Sequence, residues 1–205
     1  MDDIKSRKSD HINICLDDPV ESGERAGFER WRLDYRALPE IALDDVDLST
    51  TIAGKTLQAP LVIGAMTGGT DEAKEFNLRL ASAAERHGVG FALGSGRIAI
   101  EKPELAPTFH VREVAPTALV FANLGAVQFN YGVTGEDAAR LCRALEADVL
   151  NLHLNPLQEA IQPRGDTNFR DLAKRIEQAC KSIPFPVFVK EVGAGIGRAS
   201  AELLA

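Results

Sequence analysis

From Leu61 onward the sequence predicts an α/β fold built on a parallel sheet, and three observations predict it. Short apolar runs alternate with amphipathic helical stretches. The runs start 28, 29, 30 and 38 residues apart. Each run ends in polar residues or glycine. Strands alternating with helices imply right-handed βαβ units and therefore parallel pairing. Continuous apolar strands fit a sheet covered on both faces. A spacing near thirty residues suits a TIM-type (β/α)8 barrel, which takes roughly 250 residues for eight units. Five units are present here. An open doubly wound sheet is the competing architecture, and the position of the polar residues is the arbiter between them.

The elements follow in order. Residues 1–58 read as an irregular N-terminal extension, with a polar start, MDDIKSRKSDH, and a glycine-containing stretch near Gly23 to Gly27. Residues 59–205 read as a partial barrel. Its apolar runs are LVIGAM (61–66), VGFALG (89–94), ALVFANLG (118–125), DVLNLHLN (148–155) and PVFVKEV (186–192). The clearest helical stretches are DEAKEFNLRLASAAERHG, TGEDAARLCRALEA and DTNFRDLAKRIEQACKSI. Thr70 or Asp71 suits the start of the first and Gly88 its end; Thr134 suits the second, and Asp166 or Thr167 the third. Pro103 and Pro107 interrupt the link between the second and third strands. After the fifth strand comes GAGIG, whose Gly193, Gly195 and Gly197 give G-x-G-x-G. A dinucleotide loop needs G-x-G-x-x-G, and its third position is Arg198, so the stretch reads as a flexible βα turn. Five strands alone leave open edges at the first and fifth, which invite association.

Composition narrows the function. At 205 residues and 45% hydrophobic, the chain can bury a substantial core. A net charge of −7 argues against nucleic acid or anionic lipid as the main partner. No run of eighteen apolar residues and no signal-like start are present, so the expectation is a cytoplasmic protein without a membrane span. Cys15, Cys142 and Cys180 are widely separated and form no C-x-x-C pair; buried reduced thiols are the expectation for the helical ones.

The chemistry gathers at strand ends. In DVLNLHLN a period of two sends Leu150, Leu152 and Leu154 one way and Asn151, His153 and Asn155 the other. Three such polar groups inside a core each cost a few kcal/mol, of order 1–3, unless hydrogen-bonded. An edge strand with a wet face is the bland explanation; a site at the strand's carboxyl end, where barrel enzymes work, is the sharper one. Gln158 and Glu159 follow at once, and Glu159 could hold Mg²⁺ beside substrate phosphates. Thr67 in AMTGG, Ser95 and Arg97 in GSGR, Asn123 in ANLG and Lys190 in VKE end the other strands. Five polar strand ends on one rim favour the barrel. From spacing alone, the basic start with Arg7, Lys8 and His11 reads as an exposed turn.

Together these segments resemble the type 2 isopentenyl-diphosphate delta-isomerases, which are flavoproteins. The resemblance rests on RKSDH, APLVIGAMTGG, LGSGR, ANLGAVQ, HLNPLQEAIQPRGDTNF and PVFVKEVGAGI, in the family's order. It implies a (β/α)8 barrel that uses reduced FMN, Mg²⁺ and NADPH as reductant to interconvert isopentenyl and dimethylallyl diphosphate in isoprenoid biosynthesis. It assigns Arg7 and Lys8 to the diphosphate, reversing the reading from spacing. It places Ser95, Gly96, Arg97 and Gln158 at the substrate, and Ala65, Met66, Thr67, Ser95, Asn123 and Lys190 along the flavin. His153, Asn155 and Gln158 become catalytic candidates, and Glu159 the metal ligand. It also implies a homo-oligomer. The pattern lacks the last three strands, whose loops commonly hold barrel phosphates. The main reading is thus an isomerase without the C-terminal part of its barrel. Two others stand beside it: a non-catalytic or split barrel fragment that needs a partner segment, and another FMN-dependent barrel oxidoreductase. The latter would need a late His/Arg pair and does not account for HLNPLQEA.

Overall fold

The computed structural model describes residues 27–205, together with residues 14, 17, 19, 20 and 23. Arg7, Lys8, His11 and Cys15 lie outside the described residues. The chain divides into two compact units, Met1–Leu48 and Ser49–Ala205. The described part of the first has little regular structure, with 3-10 turns at Phe28–Arg30 and Leu43–Asp45. The Asp45 carboxylate accepts a hydrogen bond from the Ala42 N–H at 3.3 Å.

The second unit opens with an antiparallel hairpin, β1 (Thr50–Ile52) and β2 (Lys55–Leu57). The hairpin corrects the expectation of an irregular segment over residues 1–58. Ala53 and Gly54 both have positive φ, 50° and 79°, the two-residue turn geometry whose twist matches paired strands. Short strands, each of three residues, hid the alternation that would have revealed it. Leu57 is 2% exposed and packs with Ala92, Leu119, Phe121 and Val149, joined by Ile52 and Ala65. The hairpin therefore supplies core as well as connection.

Five parallel strands follow: β3 (Val62–Ile63), β4 (Gly90–Ala92), β5 (Val120–Gly125), β6 (Val149–Leu154) and β7 (Val187–Glu191). They pair in chain order. A doubly wound sheet reverses its order at a switch point; this one never does. It is a curled part of a barrel, as expected from Leu61 onward. β5 is buried along all six residues, as a central strand covered on both faces should be.

Two helices begin where their sequence signals lie, and the first also ends at its signal. In α1 (Asp71–His87) the Thr70 hydroxyl accepts from the Ala73 N–H at 3.1 Å, and Gly88 ends the helix at φ 61°. After α2 (Arg97–Glu101), Pro103–Phe109 winds as a 3-10 segment with Pro103 at its first position. Thr134 starts α3 (Gly135–Ala144) with a reciprocal capping box to Asp137, worth about 1 kcal/mol. A short α4 (Pro156–Ile161), unforeseen in the sequence, turns the chain directly after β6. The expected cap of α5 (Leu172–Cys180) is a correction: its N-cap is Asp171 at φ 54°, and no side chain caps it. Thr167 is exposed, and Asp166 is engaged in the site below. The chain continues through α6 (Arg198–Leu204).

Candidate active site at the carboxyl edge of the sheet

The rim is built where neighbouring strands come into register. His153 pairs with Gly125 on one side and Lys190 on the other, and Asn123 pairs with Asn151. β6 is thus an interior strand, which removes the wet-edge explanation for its polar row. Its leucines behave as the period of two demands, with Leu150 and Leu152 fully buried. On the opposite side Asn151 and Asn155 are buried as well. The Asn123 side-chain oxygen accepts a hydrogen bond from His153 Nδ1 at 3.0 Å. The proton therefore sits on Nδ1, and Nε2 keeps its lone pair. Burial, with the nearby Lys190 charge, lowers the His153 pKa to about 4. Burial also lowers Lys190, with Glu191 partly opposing it.

A second cluster grows from the β6–α4 junction. Asn155 Nδ2 donates to Glu159 Oε1 at 2.8 Å and to Gln158 Oε1 at 3.2 Å. Glu159, only 8% exposed, also accepts at Oε2 from Gln162 Nε2 at 2.7 Å and from the Asp166 N–H at 2.8 Å. Arg97, at the start of α2, donates through Nη1 to Asp166 and through Nε to Glu101 at 2.6 Å. Gln128 Nε2 reaches the same Asp166 oxygen at 2.8 Å.

The remaining candidates sit around these clusters. The Gly96 N–H donates to the Asn123 carbonyl at 2.7 Å, which locks the end of β4 against that of β5. Ser95 is half-buried beside it. The Thr67 carbonyl accepts from Asn77 Nδ2 of α1 at 3.3 Å. A Cβ on Gly94 would lie 2.3 Å from the Thr67 carbonyl, so only glycine lets these two strand ends approach. Ala65 packs towards the core cluster, whereas Met66 is 64% exposed.

Sequence reasoning missed Asp166, Gln128 and Gln162. In the sequence Asp166 suits a helix start, and no local feature marks it as the partner of Arg97 and Gln128. Gln128 lies in the 3-10 turn Ala126–Tyr131 directly behind β5, one step beyond the strand end where polar residues were sought.

The donor set points to what the rim can hold. Among the described residues no group of three or more His, Cys, Asp or Glu could hold a metal ion. A hard cation at Glu159 would therefore need oxygens from elsewhere, such as substrate phosphates. Asn155 Oδ1 is buried without a hydrogen-bond partner, an acceptor in want of a donor or cation next to Glu159. Exposed Met66 and the open space above Gly64 offer an apolar face at the end of β3, across the rim from Lys190.

An α/β barrel-type chain with this rim belongs to a recognisable class. The FMN-dependent dehydrogenase family pattern matches residues 12–103. Isopentenyl-diphosphate delta-isomerase from a Nostoc species is 51% identical over 201 residues, covering 98% of this chain and 57% of that protein. The protein of the same name from a Synechocystis species is 52% identical over 205 residues, covering 100% and 59%. That from Rickettsia akari is 47% identical over 199 residues, covering 97% and 58%. Over the part it spans, the chain is a homologue of the isopentenyl-diphosphate delta-isomerases. It spans rather under three fifths of the length of those relatives. No helix among the described residues is long and apolar enough to cross a membrane.

Proposed function

We propose that the protein acts in the isomerisation of isopentenyl diphosphate and dimethylallyl diphosphate, with reduced FMN, Mg²⁺ and NADPH as reductant. The observation that carries this reading is the rim itself: neutral His153 bonded to Asn123 beside Lys190, with Asn155 and buried Glu159 one turn further on. Shifting a double bond along an allylic unit adds a proton at one carbon and removes one at another. At neutral pH His153 carries no second proton to give, and it serves to orient and to accept a hydrogen bond at Nε2. The bound reduced flavin would supply the acid–base chemistry. Ala65, Met66, Thr67, Ser95, Asn123 and Lys190 would hold it, with the Lys190 ammonium balancing negative charge on the ring system. Ser95, Gly96, Arg97 and Gln158, with Arg7 and Lys8, would hold the diphosphate, Arg97 as a planar donor suited to phosphate oxygens. Glu159 would bind Mg²⁺, with Asn155 and Gln158 fixing its surroundings.

The proposal extends to the cytoplasm as location and to assembly of several copies through the sheet edges. Titrating FMN into the protein and following its visible absorbance tests the central claim. Lys190→Ala is expected to weaken flavin binding roughly tenfold, the loss of one charge-assisted contact. Unchanged affinity and turnover in that variant would remove Lys190 from the flavin site.

A further inference from the structure

We infer that Asp166 is a positioning residue that sets Arg97 with its side chain and Glu159 with its backbone, so that one loop residue aligns the anion-binding and cation-binding halves of the site. The inference rests on the function proposed above. Its basis is a chain of contacts that spans three segments distant in sequence. One Asp166 oxygen accepts from Arg97 Nη1 and from Gln128 Nε2 at 2.8 Å. The N–H of the same residue donates to Glu159 Oε2 at 2.8 Å. The Asp166 side chain is 13% exposed and Gln128 4%, so these bonds are shielded from water and hold geometry firmly.

The guanidinium of Arg97 is consequently gripped at two corners, by Glu101 at Nε and by Asp166 at Nη1. A planar fork held this way keeps a fixed orientation, which matters for an ion that must meet phosphate oxygens along two directions. Glu159 is a carboxylate whose Oε2 takes two N–H donors, while Oε1 takes one from Asn155. The loop between them comes so close that a Cβ on Gly165 would stand 1.8 Å from the Glu159 carbonyl oxygen. Glycine at 165 is what allows the Asp166 N–H to reach its carboxylate. A loop staple with no bearing on ligands would satisfy Asp166 as well; the two roles differ in what they do to binding.

Inorganic pyrophosphate titrated calorimetrically in the presence of Mg²⁺ separates them. In D166A, pyrophosphate affinity is expected to fall roughly tenfold, the worth of a charge-assisted hydrogen bond. The half-saturating Mg²⁺ concentration at saturating pyrophosphate should stay unchanged, because the backbone N–H remains. D166N should recover most of the affinity, since one amide oxygen can still accept from both Arg97 and Gln128. G165A should disturb pyrophosphate and Mg²⁺ together. R97K combined with D166A should bind no worse than R97K alone. Wild-type affinity in D166A would overturn the inference and leave the proposed function standing. Equal loss of pyrophosphate affinity, Mg²⁺ affinity and thermal stability in D166A would reduce Asp166 to a structural staple and overturn it too. If the unaltered protein binds no pyrophosphate, the proposed function fails first and takes the inference with it. Should D166A not fold, Q128A probes the same oxygen; roughly threefold weaker pyrophosphate binding is expected, and unchanged affinity would overturn the assignment.

Discussion

Burial holds the His153 imidazole neutral, and that has a consequence for stability in acid. In the unfolded chain the ring titrates near its ordinary value of 6.5, whereas in the fold it titrates near 4. Between those values the unfolded state binds the extra proton, so stability is full above pH 6.5 and falls as pH drops towards 4. The shift corresponds to at most about 3 kcal/mol. Urea unfolding across that interval should show the decline, and His153→Asn should flatten it. An equally steep decline in the variant would assign it to other groups. Asp137, Asp148, Glu85 and Glu191 are all held below their usual range. Their contributions are therefore lost in more acid solution, separately from that of His153. At this scale the sequence was informative where chemistry and strand period coincide: the alternation in LNLHLN exposed His153 and Asn155 directly. Asp166 escaped because nothing local distinguishes an aspartate that caps a helix from one that receives a distant arginine.

The hairpin shows the same boundary between local and distant information at the level of elements. Lys55 on β2 donates to Asp148 Oδ2 at 2.9 Å and to the Ala118 carbonyl at 3.0 Å. Arg112 Nη2 reaches that Asp148 oxygen at 2.8 Å, as does the Val120 N–H. One carboxylate thus ties the hairpin, the loop before β5 and the start of β6. Burial alone would raise the Asp148 pKa, but these hydrogen bonds outweigh it. Asp148→Ala should cost about 2–3 kcal/mol, because it leaves the Val120 N–H without its carboxylate acceptor and removes the counter-charge of both Lys55 and Arg112, although Arg112 keeps its bonds to the Ala115, Ala118 and Glu146 carbonyls. Lys55→Ala should cost about 1 kcal/mol or less, since the lysine is a third exposed and surface pairs contribute little. Chemical denaturation measures both, and equal losses would contradict this ranking. Two of the three caps, by contrast, are legible: Thr70 and Thr134 stand where a hydroxyl meets the first free N–H groups, a requirement that needs only nearby sequence, whereas the start of α5 at Asp171 carries no side-chain cap. Short β1 and β2 depend on the core they cover, and no local pattern announces them.

Over the second unit as a whole, chain order and spatial order coincide, so five successive strand ends meet on one rim. The thirty-residue spacing and apolar continuity made that architecture readable before any coordinates. The close approach of Gly94 to Thr67, and the threading of residues 162–166 behind Glu159, were not readable, because they depend on distances between separate loops. A ligand that spans the rim should stabilise the strands together. FMN at one hundred times its dissociation constant should add about 2.7 kcal/mol to stability. Amide exchange at the carboxyl ends of β3 through β7 should slow in concert. Protection confined to one βα unit would instead indicate a smaller ligand footprint.

Cys142 gives this fold an internal clock. It lies on α3 with no exposed surface, and burial pushes its thiol up to about 12. In the closed fold it is therefore out of reach of an alkylating reagent twice over, by access and by protonation. Any labelling of Cys142 must wait for α3 to lift from β5 and β6. Counting molecules labelled at Cys142 itself, with the half-buried Cys180 and Cys15 replaced by serine, converts that single sulfur into a direct reading of how often the protein opens.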